Sequence, residues 1–305
     1  MREPSELYVI DAAVEVPRDI VMLEALDGFV DAGSAVRLAR EHVLETLDSQ
    51  VVARFEVDEL LDYRSRRPPM IFDRDHWTSY DEPSLALHLV RDSAGVPFLL
   101  LAGPEPDLQW DRFTAAVVGL VEALGVRLTA QLHAIPMAVP HTRPFGMTRH
   151  ATDPELLAGI EPWFQTVQVP GNASALLQLR LGQAGRKATG FALHVPQYLA
   201  SADLPDAAAA LIDAVAVATG LTIPDASLLE AGERTRAEID VQVAKSEEVT
   251  AVVRGLEQQY DAFVRGRGTG LLAGDGEGAL PSGDELGAEL ERFLAEHSGG
   301  EPPQV

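Results

Sequence analysis

The chain has 305 residues, 46% of them hydrophobic, and is therefore long enough to bury a substantial core. Its formal net charge of -23 predicts repulsion from nucleic-acid phosphates and from anionic lipid, so nucleic acids and membrane surfaces are excluded as partners. Cysteine is absent, which excludes disulfides, thiolate nucleophiles and metal sites with cysteine ligands.

The remaining sequence features indicate a cytoplasmic protein. No apolar run approaches the ~20 residues that a membrane-spanning helix needs, and the first residues are acidic where a signal peptide would be basic and then apolar. The histidines are scattered without the spacing of metal ligands. Because phosphate-binding loops and nucleophile elbows are absent too, the sequence predicts neither a metal nor a cofactor.

A buried strand, a polar turn and a helix are predicted near the start of the chain. Ile20 to Leu26 is an apolar run of strand length that only Glu24 interrupts. The turn that follows contains three candidate site residues, Asp31, Gly33 and Ser34. Ser34 is placed to cap a helix that continues to Leu47. In open α/β sheets such a turn lies at the carboxyl end of a strand, where ligands bind and helix N–H groups attract anions.

A loop with three arginines comes next. Residues 63–69 contain Arg64, Arg66 and Arg67 beside a pair of prolines that lack backbone hydrogen-bond donors. These arginines could bind an anion. The alternative, which we favour, is a solvated loop whose charge is neutralised by its acidic neighbours Asp58, Glu59 and Asp62.

Further strands alternate with helices along the core. The predicted strands span residues 7–10, 51–57, 85–90, 97–102, 126–135 and 189–195. The predicted helices run from about Gln109 to Leu124, from the turn at residues 171–174 to about Leu181, and from Asp206 to near Gly220. The strand at 97–102 is apolar on both faces, which predicts a central position in the sheet. This alternation is typical of an α/β fold.

Polar residues follow several of these strands. They are Glu105 and Asp107 after the strand at 97–102, His141, Thr142 and Arg143 after the strand at 126–135, and His194 at the end of the strand at 189–195. Carboxylates beside a histidine suit acid–base chemistry, and Arg143 suits a phosphate or a carboxylate. Together with Asp31, Gly33 and Ser34, these residues form a candidate pocket for a small anionic ligand. The same residue types also build structural polar networks, and that alternative stays open.

The composition then changes to alanine-rich helix. An apolar stripe recurs at three- and four-residue steps from Val249 to Phe263, which predicts a long helix with a narrow apolar face. Such a face packs against a helix of the same chain or against a second subunit, and both alternatives stay open. We divide the chain into an α/β core domain of residues 1–222, a C-terminal helical arm of residues 223–264, and a glycine-rich acidic tail of residues 265–305 that we expect to be largely disordered.

Five segments carry a family resemblance. They are residues 58–68 (DELLDYRSRRP), 103–107 (GPEPD), 140–144 (PHTRP), 194–199 (HVPQYL) and 256–261 (LEQQYD). Together they resemble the actinobacterial branch of the proteasome assembly chaperone 2 family, over most of the chain up to about Phe263. The resemblance implies a three-layer α/β/α core with a mixed sheet, similar to purine nucleoside phosphorylases, and a C-terminal helical extension. It also implies a homo-oligomer, with a trimer favoured.

The function that we expect is a self-associating, chaperone-like protein-interaction module without catalysis, which binds a protein partner. The alternative is a small-molecule binding protein, or an enzyme that acts on a nucleoside or a phosphorylated metabolite in a phosphorylase-like pocket. Eukaryotic members of the family dock through a C-terminal hydrophobic–tyrosine–any-residue tail. This chain ends in Pro302-Pro303-Gln304-Val305 and departs from that motif.

Overall fold

Strands and helices alternate along the chain. The computed structural model describes residues 3–160, 162–163 and 166–268. The strands are β1 (Tyr8–Ile10), β2 (Ile20–Asp27), β3 (Ser49–Phe55), β4 (Met70–Asp73), β5 (His76–Tyr80), β6 (Ala86–Arg91), β7 (Pro97–Pro104), β8 (Val126–Met137), β9 (Gly146–Ala151) and β10 (Ala188–Pro196). The helices are α1 (Ala35–Thr46), α2 (Val57–Leu60), α3 (Trp110–Leu124), α4 (Ala173–Gln183), α5 (Pro205–Thr219), α6 (Ala226–Val243) and α7 (Glu247–Gly268).

Eight of the strands form one mixed sheet in the order β1-β3-β6-β7-β2-β8-β10-β9. The four central strands β7, β2, β8 and β10 are adjacent and parallel. The strands on either side of them are antiparallel to their neighbours. Because adjacent parallel strands end at the same edge of a sheet, the turns after the central strands share one edge. The predicted α/β fold and the central position of β7 are confirmed.

Helices cover both faces of the sheet. Side chains of a strand alternate between the two faces, so neighbouring residues of one strand enter different apolar clusters. Leu23 and Leu100 pack on the face that α1 and α5 cover. Met22 and Leu99 pack on the opposite face, which α3 and α4 cover. The three-layer arrangement is therefore present, while its similarity to nucleoside phosphorylases stays an expectation.

The start of α1 differs in detail from its prediction. Ser34 occupies the N-cap position, but its side chain makes no capping hydrogen bond. The carboxylate of Asp31 caps the helix, because it accepts hydrogen bonds from the backbone N–H groups of Val36 at 2.9 Å and Arg37 at 3.0 Å. The cap comes from outside the helix because the residues between Asp31 and Ala35 form a short 3-10 turn with Gly33 at φ 71°.

The sequence patterns did not predict three of the strands. β4 and β5 form a separate two-stranded hairpin in which every residue is exposed, so no alternation of buried and exposed residues marks them. β9 follows the proline-rich loop after β8 and lies at the end of the sheet, with residues that are mostly half-buried. Weak burial on both faces removes the hydrophobic pattern that identifies a strand in a sequence.

The apolar stripe of α7 packs against its own chain. Val253 and Leu256 are buried, and the ring of Phe263 stacks on Trp163 with 5.0 Å between ring centroids. The hydroxyl of Tyr260 donates a hydrogen bond to the carbonyl of Pro144 at 3.0 Å.

The tail that we expect to be disordered, residues 265–305, lies mostly outside the described residues, because α7 continues to Gly268 and residues 269–305 are not described. Within the described residues, we find no helix with the length and apolar character that crossing a membrane requires.

We predict that Gly103→Ala destabilises the fold. Gly103, near the end of β7, has φ 135°, and a Cβ at this position would overlap the backbone oxygen of Ser84. Urea denaturation should show a loss of ~3 kcal/mol or more in the free energy of unfolding.

Gly119→Ala is the matched control, because a Cβ at Gly119, inside α3, meets no atom within 4 Å. This change should raise the free energy of unfolding by ~0.5–1 kcal/mol. Equal effects of the two substitutions would contradict the close approach at Gly103.

Candidate functional site

The candidate site lies along the edge of the sheet where the four central strands end. The turns after β2, β7 and β8 reach this edge and carry eight of the nine predicted site residues, and the ninth, His194, lies within β10 near its end. The helices α1, α4 and α5 begin close to it, and the partial positive charge of helix N-termini favours carboxylates there.

Asp31, Gly33 and Ser34 form the first group, between β2 and α1. Burial is the main cause that raises the pKa of Asp31, and its two hydrogen bonds from the start of α1 oppose the shift. Gly33 exchanges two backbone hydrogen bonds with the turn before α5, from its N–H to Ala200 O at 2.8 Å and from Leu204 N–H to its own oxygen at 2.9 Å. This group therefore joins the starts of α1 and α5.

Glu105 joins three segments and is 3% exposed. Its carboxylate accepts a hydrogen bond from the backbone N–H of Phe29, in the turn after β2, at 3.1 Å. It also accepts one from the N–H of Ala173, the first residue of α4, at 2.5 Å. A carboxylate satisfies the free N–H groups of a helix start and interacts well with its dipole. Glu105 thereby occupies an anion site that a ligand could otherwise have used.

Asp107 anchors the arginine-containing loop. One carboxylate oxygen accepts the backbone N–H of Asp62 at 2.8 Å, and the other pairs with Arg66 Nε at 3.1 Å. The nearby acidic residues have other partners, since Asp58 accepts from the hydroxyl of Tyr63 at 2.6 Å. Arg64 and Arg67 are exposed, as the favoured interpretation of a solvated loop expects. Of the three arginines, only Arg66 has an ion-pair partner within the described residues, and that partner is Asp107 and not Asp58, Glu59 or Asp62.

A second carboxylate lies beneath this edge. Glu24 of β2 is fully buried and accepts hydrogen bonds from Ser174 Oγ and Gln131 Nε2, both at 2.8 Å. Burial is the largest cause that raises the pKa of Glu24, to about 7, while these two hydrogen bonds lower it and the nearby charge of Glu105 raises it. Glu24 is thus a buried acid that holds its proton up to neutral pH.

The loop after β8 binds the helical arm. His141 Nδ1 lies 2.6 Å from the hydroxyl of Tyr198, and its Nε2 lies 3.1 Å from a carboxylate oxygen of Asp240 in α6. The same hydroxyl accepts the backbone N–H of His141 at 2.8 Å. Since that oxygen already accepts one hydrogen, its own proton fits Nδ1, and Nε2–H then donates to Asp240. Burial raises the pKa of Tyr198 to about 12, so the hydroxyl stays protonated.

Arg143 completes the contact with the arm. Its Nε and Nη2 donate to the two carboxylate oxygens of Asp261 at 2.8 and 2.9 Å, and its Nη1 lies 3.2 Å from Glu257. The hydrogen bond to Asp261 is the main cause that raises the pKa of Arg143, and the same bond lowers the pKa of Asp261. Thr142 donates to Glu257 at 2.5 Å. A bidentate pair of this kind fixes the orientation of both partners.

His194 lies deeper, near the end of β10, and is fully buried. Its Nε2 is 2.7 Å from the hydroxyl of Thr148 in β9. Its ring meets Trp163 edge to face, with 4.5 Å between the centroids, and Trp163 stacks in turn on Phe263 of α7. Contacts between the rings of His194, Trp163 and Phe263 therefore connect the sheet to the arm.

Two further histidines line the same face of the sheet as Glu24. His133 and His150 are stacked with 5.7 Å between ring centroids, and His150 Nδ1 is 2.7 Å from Gln178 Oε1 in α4. Burial lowers the pKa of both, that of His133 to about 3, so both are neutral at physiological pH. Within the described residues, no group of three or more histidine, aspartate or glutamate side chains could hold a metal ion.

The structure brings all nine predicted residues to one edge, but in separate groups with different partners. Asp31 and Gly33 hold helix starts, the Ser34 side chain donates a hydrogen bond to Asp203, and Glu105 and Asp107 hold neighbouring turns. The residues His141, Thr142, Arg143 and His194 face the arm or the strands beneath it. That they bind a small anion stays a prediction.

A model of the PAC2 family matches residues 25–243, which is more than half of the chain. The chain belongs to the PAC2 family. The predicted resemblance to the proteasome assembly chaperone 2 family is thereby confirmed.

Several solved structures resemble this PAC2 family chain. Rv2714, a protein of unknown function from Mycobacterium tuberculosis, has 49% sequence identity and a TM-score of 0.82, and the match covers 87% of this chain and 94% of that one. A protein of unknown function from Corynebacterium glutamicum has 39% identity and a TM-score of 0.81, with 85% and 98% covered.

Rv2125, a proteasome-assembly chaperone homologue from M. tuberculosis, shares the fold at 23% identity and a TM-score of 0.70, with 77% of this chain and 100% of that one covered. Among curated proteins, none matches the sequence.

Sequence reasoning missed several residues of this PAC2 family site. Glu24 was detectable, because a carboxylate inside an otherwise apolar strand must have buried partners. Its partners Gln131 and Ser174 were not, since nothing local marks them. Asp240 and Asp261 resemble the ordinary solvent-facing charges of a helix, and only the folded arrangement gives them basic partners.

We predict that Glu24 lowers stability as the pH rises. Its folded-state pKa of about 7 lies above the model value of 4.5, so the native state retains a proton that the unfolded chain releases. This contribution is fully present below pH 4.5 and is lost as the pH rises through about 7. Between pH 5 and pH 8 it lowers the free energy of unfolding by roughly 2 kcal/mol.

Glu24→Gln should reduce that pH dependence, because the amide stays neutral. Urea denaturation at pH 5 and at pH 8 measures the effect. Glu45→Gln, at an exposed position of α1, is the control and should leave the pH dependence unchanged. A wild-type profile in Glu24→Gln would show that Glu24 is not the titrating group.

We predict that Arg143→Ala loosens the helical arm without unfolding the core. Loss of the bidentate pair should increase amide hydrogen exchange in α7 a few-fold, and Arg143→Lys should have a smaller effect because it keeps the charge. Arg254→Ala, at an exposed position of the same helix, is the control. Unchanged exchange in Arg143→Ala, or an equal increase in the control, would contradict the assignment.

Proposed function

We propose that this PAC2 family protein is a self-associating protein-interaction module, and that the β4–β5 hairpin is the surface through which it binds. One observation carries the proposal: all residues of both hairpin strands are exposed, although several are large and apolar. The exposed fractions are 50% for Met70, 60% for Ile71, 54% for Phe72, 61% for Trp77 and 47% for Tyr80. Exposed apolar patches of this kind mark sites of association.

The larger apolar residues share one side of the hairpin. Phe72 pairs with Trp77 and Met70 pairs with Tyr80 across the two strands. Cross-strand partners lie on the same face, and Met70 and Phe72, two apart along β4, share a face. Trp77 and Tyr80 are three apart along β5, but the pairing shifts by one residue between Ile71 and Phe72, so both still oppose that face of β4. Phe72 and Trp77 contact each other edge to face at 5.0 Å. We call these four residues the hairpin face.

The energetics favour a covered hairpin face. A two-stranded hairpin without a covering layer is marginally stable in water. Fully burying one large apolar side chain contributes ~1.5–3 kcal/mol, so a partner that covers four of them can offset much of the cost of association. Because the rest of the chain strongly repels nucleic acid and anionic lipid, a protein surface is the partner that the face fits.

The polar edge of the sheet supports a binding role more than a catalytic one. Its carboxylates, histidines and arginine are engaged with backbone groups and with the arm, so their charge and hydrogen bonds serve the fold. Rv2125, a proteasome-assembly chaperone homologue, has the same fold, and we extend a chaperone-like role to this chain as part of the proposal. A second copy is the first partner that we propose, with a trimer as the expected assembly.

We predict that Phe72→Glu weakens self-association. In light scattering at micromolar concentration, the wild type should have a mass well above the 32.8 kDa of one chain, and the variant should move toward that mass. A glutamate on the hairpin face would have to be buried without a partner, which costs several kcal/mol per interface.

Ser79→Glu is the matched control, because Ser79 pairs with Ile71 on the opposite side of the hairpin and receives the same charge. It should retain the wild-type mass. A wild type of 32.8 kDa throughout the micromolar range, or an oligomer that Phe72→Glu leaves intact, would refute the proposal.

A further inference from the structure

The β4–β5 hairpin lacks a third strand. In any two-stranded sheet, the backbone N–H and C=O groups on the outer side of each strand have no ladder partner. The outer edges of β4 and β5 are joined to no other strand in the part of the chain that the structure describes. A small sheet gains independent stability when it has three or more strands and a covered apolar face. The hairpin therefore offers an edge to which one more strand can be added.

β4 has the more regular of the two outer edges. The pairing advances by one residue along β4, from Ile71 to Phe72, but by two residues along β5, so Thr78 is an extra residue that forms a bulge. A bulge disturbs pairing along an edge strand, and lysine or proline in the strand does the same. β4 has neither residue type and carries no bulge. An added strand therefore fits beside β4.

The segment before α4 has the backbone of a strand without a partner. Residues 167–171 (VQVPG) belong to no helix or strand, and all of them are exposed. Among the described residues, their backbone groups make no hydrogen bonds. Val167 and Val169 are 58% and 68% exposed, and alternate residues of an extended chain lie on one side. Val169 also precedes Pro170, which favours extended backbone. We call residues 167–171 the valine segment.

The charge distribution favours contact between the hairpin and the valine segment. Two copies with a net charge of -23 each repel one another across most of their surfaces. Residues 70–82, which contain the hairpin, carry four acidic residues and one arginine, so the hairpin repels any acidic surface. The sequence has no charged residue between Glu161 and Arg180. The valine segment therefore places no carboxylate against the hairpin of another copy.

We propose that the valine segment of one copy pairs with the outer edge of β4 in a second copy. Its backbone N–H and C=O groups then bond to those of β4, and Val167 and Val169 extend the hairpin face beside Met70 and Phe72. Main-chain hydrogen bonds hold such an added strand, while alternate side chains supply its specificity. This inference rests on the proposed function, because it names the surface of the second copy that the hairpin contacts.

The contact forms between copies. In the described chain no hydrogen bond joins the hairpin to the valine segment. The hairpin base is held to the turn after β7 by Arg66 and Asp107, whereas the valine segment is followed by Ala173, which donates to Glu105. The hairpin and the valine segment are different surfaces, so the interface is heterologous. The closed assembly that such an interface builds is a ring.

The first test places charge on the valine segment. Val167→Glu/Val169→Glu sets two carboxylates beside the acidic hairpin of the next copy. Light scattering should then show association at a concentration roughly a hundredfold or more above that of the wild type. Both positions are exposed, so the fold should be retained, and an unchanged far-ultraviolet circular dichroism spectrum checks this.

Thr166→Glu/Gln168→Glu is the matched control, because it adds the same two charges to the opposite side of the same segment. It should raise the required concentration less than about tenfold. An unchanged concentration dependence in Val167→Glu/Val169→Glu overturns the contact. Equal effects of the two double variants overturn it as well.

The second test locates the contact by cross-linking. The chain contains no cysteine, so introduced cysteines react without background. Chains with Ile71→Cys and chains with Gln168→Cys, which carry the new thiol on the side away from the apolar residues, are mixed, equilibrated and treated with a short bismaleimide. We expect a two-chain product that is several times more abundant in the mixture than in either variant alone.

Val217→Cys, at a position of α5 that is 79% exposed, replaces Gln168→Cys as the control and should give only the background level. An equally abundant product from Ile71→Cys alone would show that two hairpins face each other, which overturns the inference. Equal products with Gln168→Cys and with Val217→Cys also overturn it.

The inference and the proposed function fail in different ways. If Phe72→Glu dissociates the wild-type oligomer while Val167→Glu/Val169→Glu leaves it intact, the valine segment is wrong and the proposed function stands. A wild type that stays at 32.8 kDa throughout the micromolar range removes both.

Discussion

The carboxylate of Glu105 is the interaction on which the arrangement of the edge depends. It follows β7, and it accepts N–H groups both from the turn after β2 and from the first turn of α4. One side chain thus joins two central strands to the helix layer on one face of the sheet. A carboxylate with less than a tenth of its surface exposed needs such donors, and backbone N–H groups of a helix start supply them at fixed positions.

Glu24 is a second buried carboxylate near the same edge of the sheet. It lies one layer below Glu105, and it holds a proton that a group in water would release near pH 4.5. The two carboxylates are close enough to interact, so ionising both in a buried place is costly. The chain avoids that cost by keeping Glu24 protonated up to about pH 7. The pair belongs to the core, and the polar edge is built on top of it.

The polar loop after β8 contacts the helical arm, whereas the turns beside it contact one another and the helix starts. Its residues point toward α6 and α7, so the chemistry that suits an anionic ligand binds the carboxylates of the arm instead. Arg143 meets Asp261 in the same bidentate geometry that it would use for a substrate carboxylate. The binding surface that we propose lies elsewhere, on the exposed hairpin face.

The sequence by itself determined the strands that are buried on both faces and the helices with one apolar face. The run from Ile20 to Leu26 and the stripe from Val249 to Phe263 are recognisable because burial requires a regular period of apolar residues. The sequence also predicted that the polar turns lie at one edge of the sheet, because adjacent parallel strands end at the same edge. Only the tertiary structure decided which partners those polar residues take. A carboxylate such as Asp261 has the same local pattern whether it faces water or an arginine, and an exposed hairpin has no buried face to reveal it. Partner choice depends on positions far apart in the chain, and those become neighbours only when the sheet and the arm are assembled.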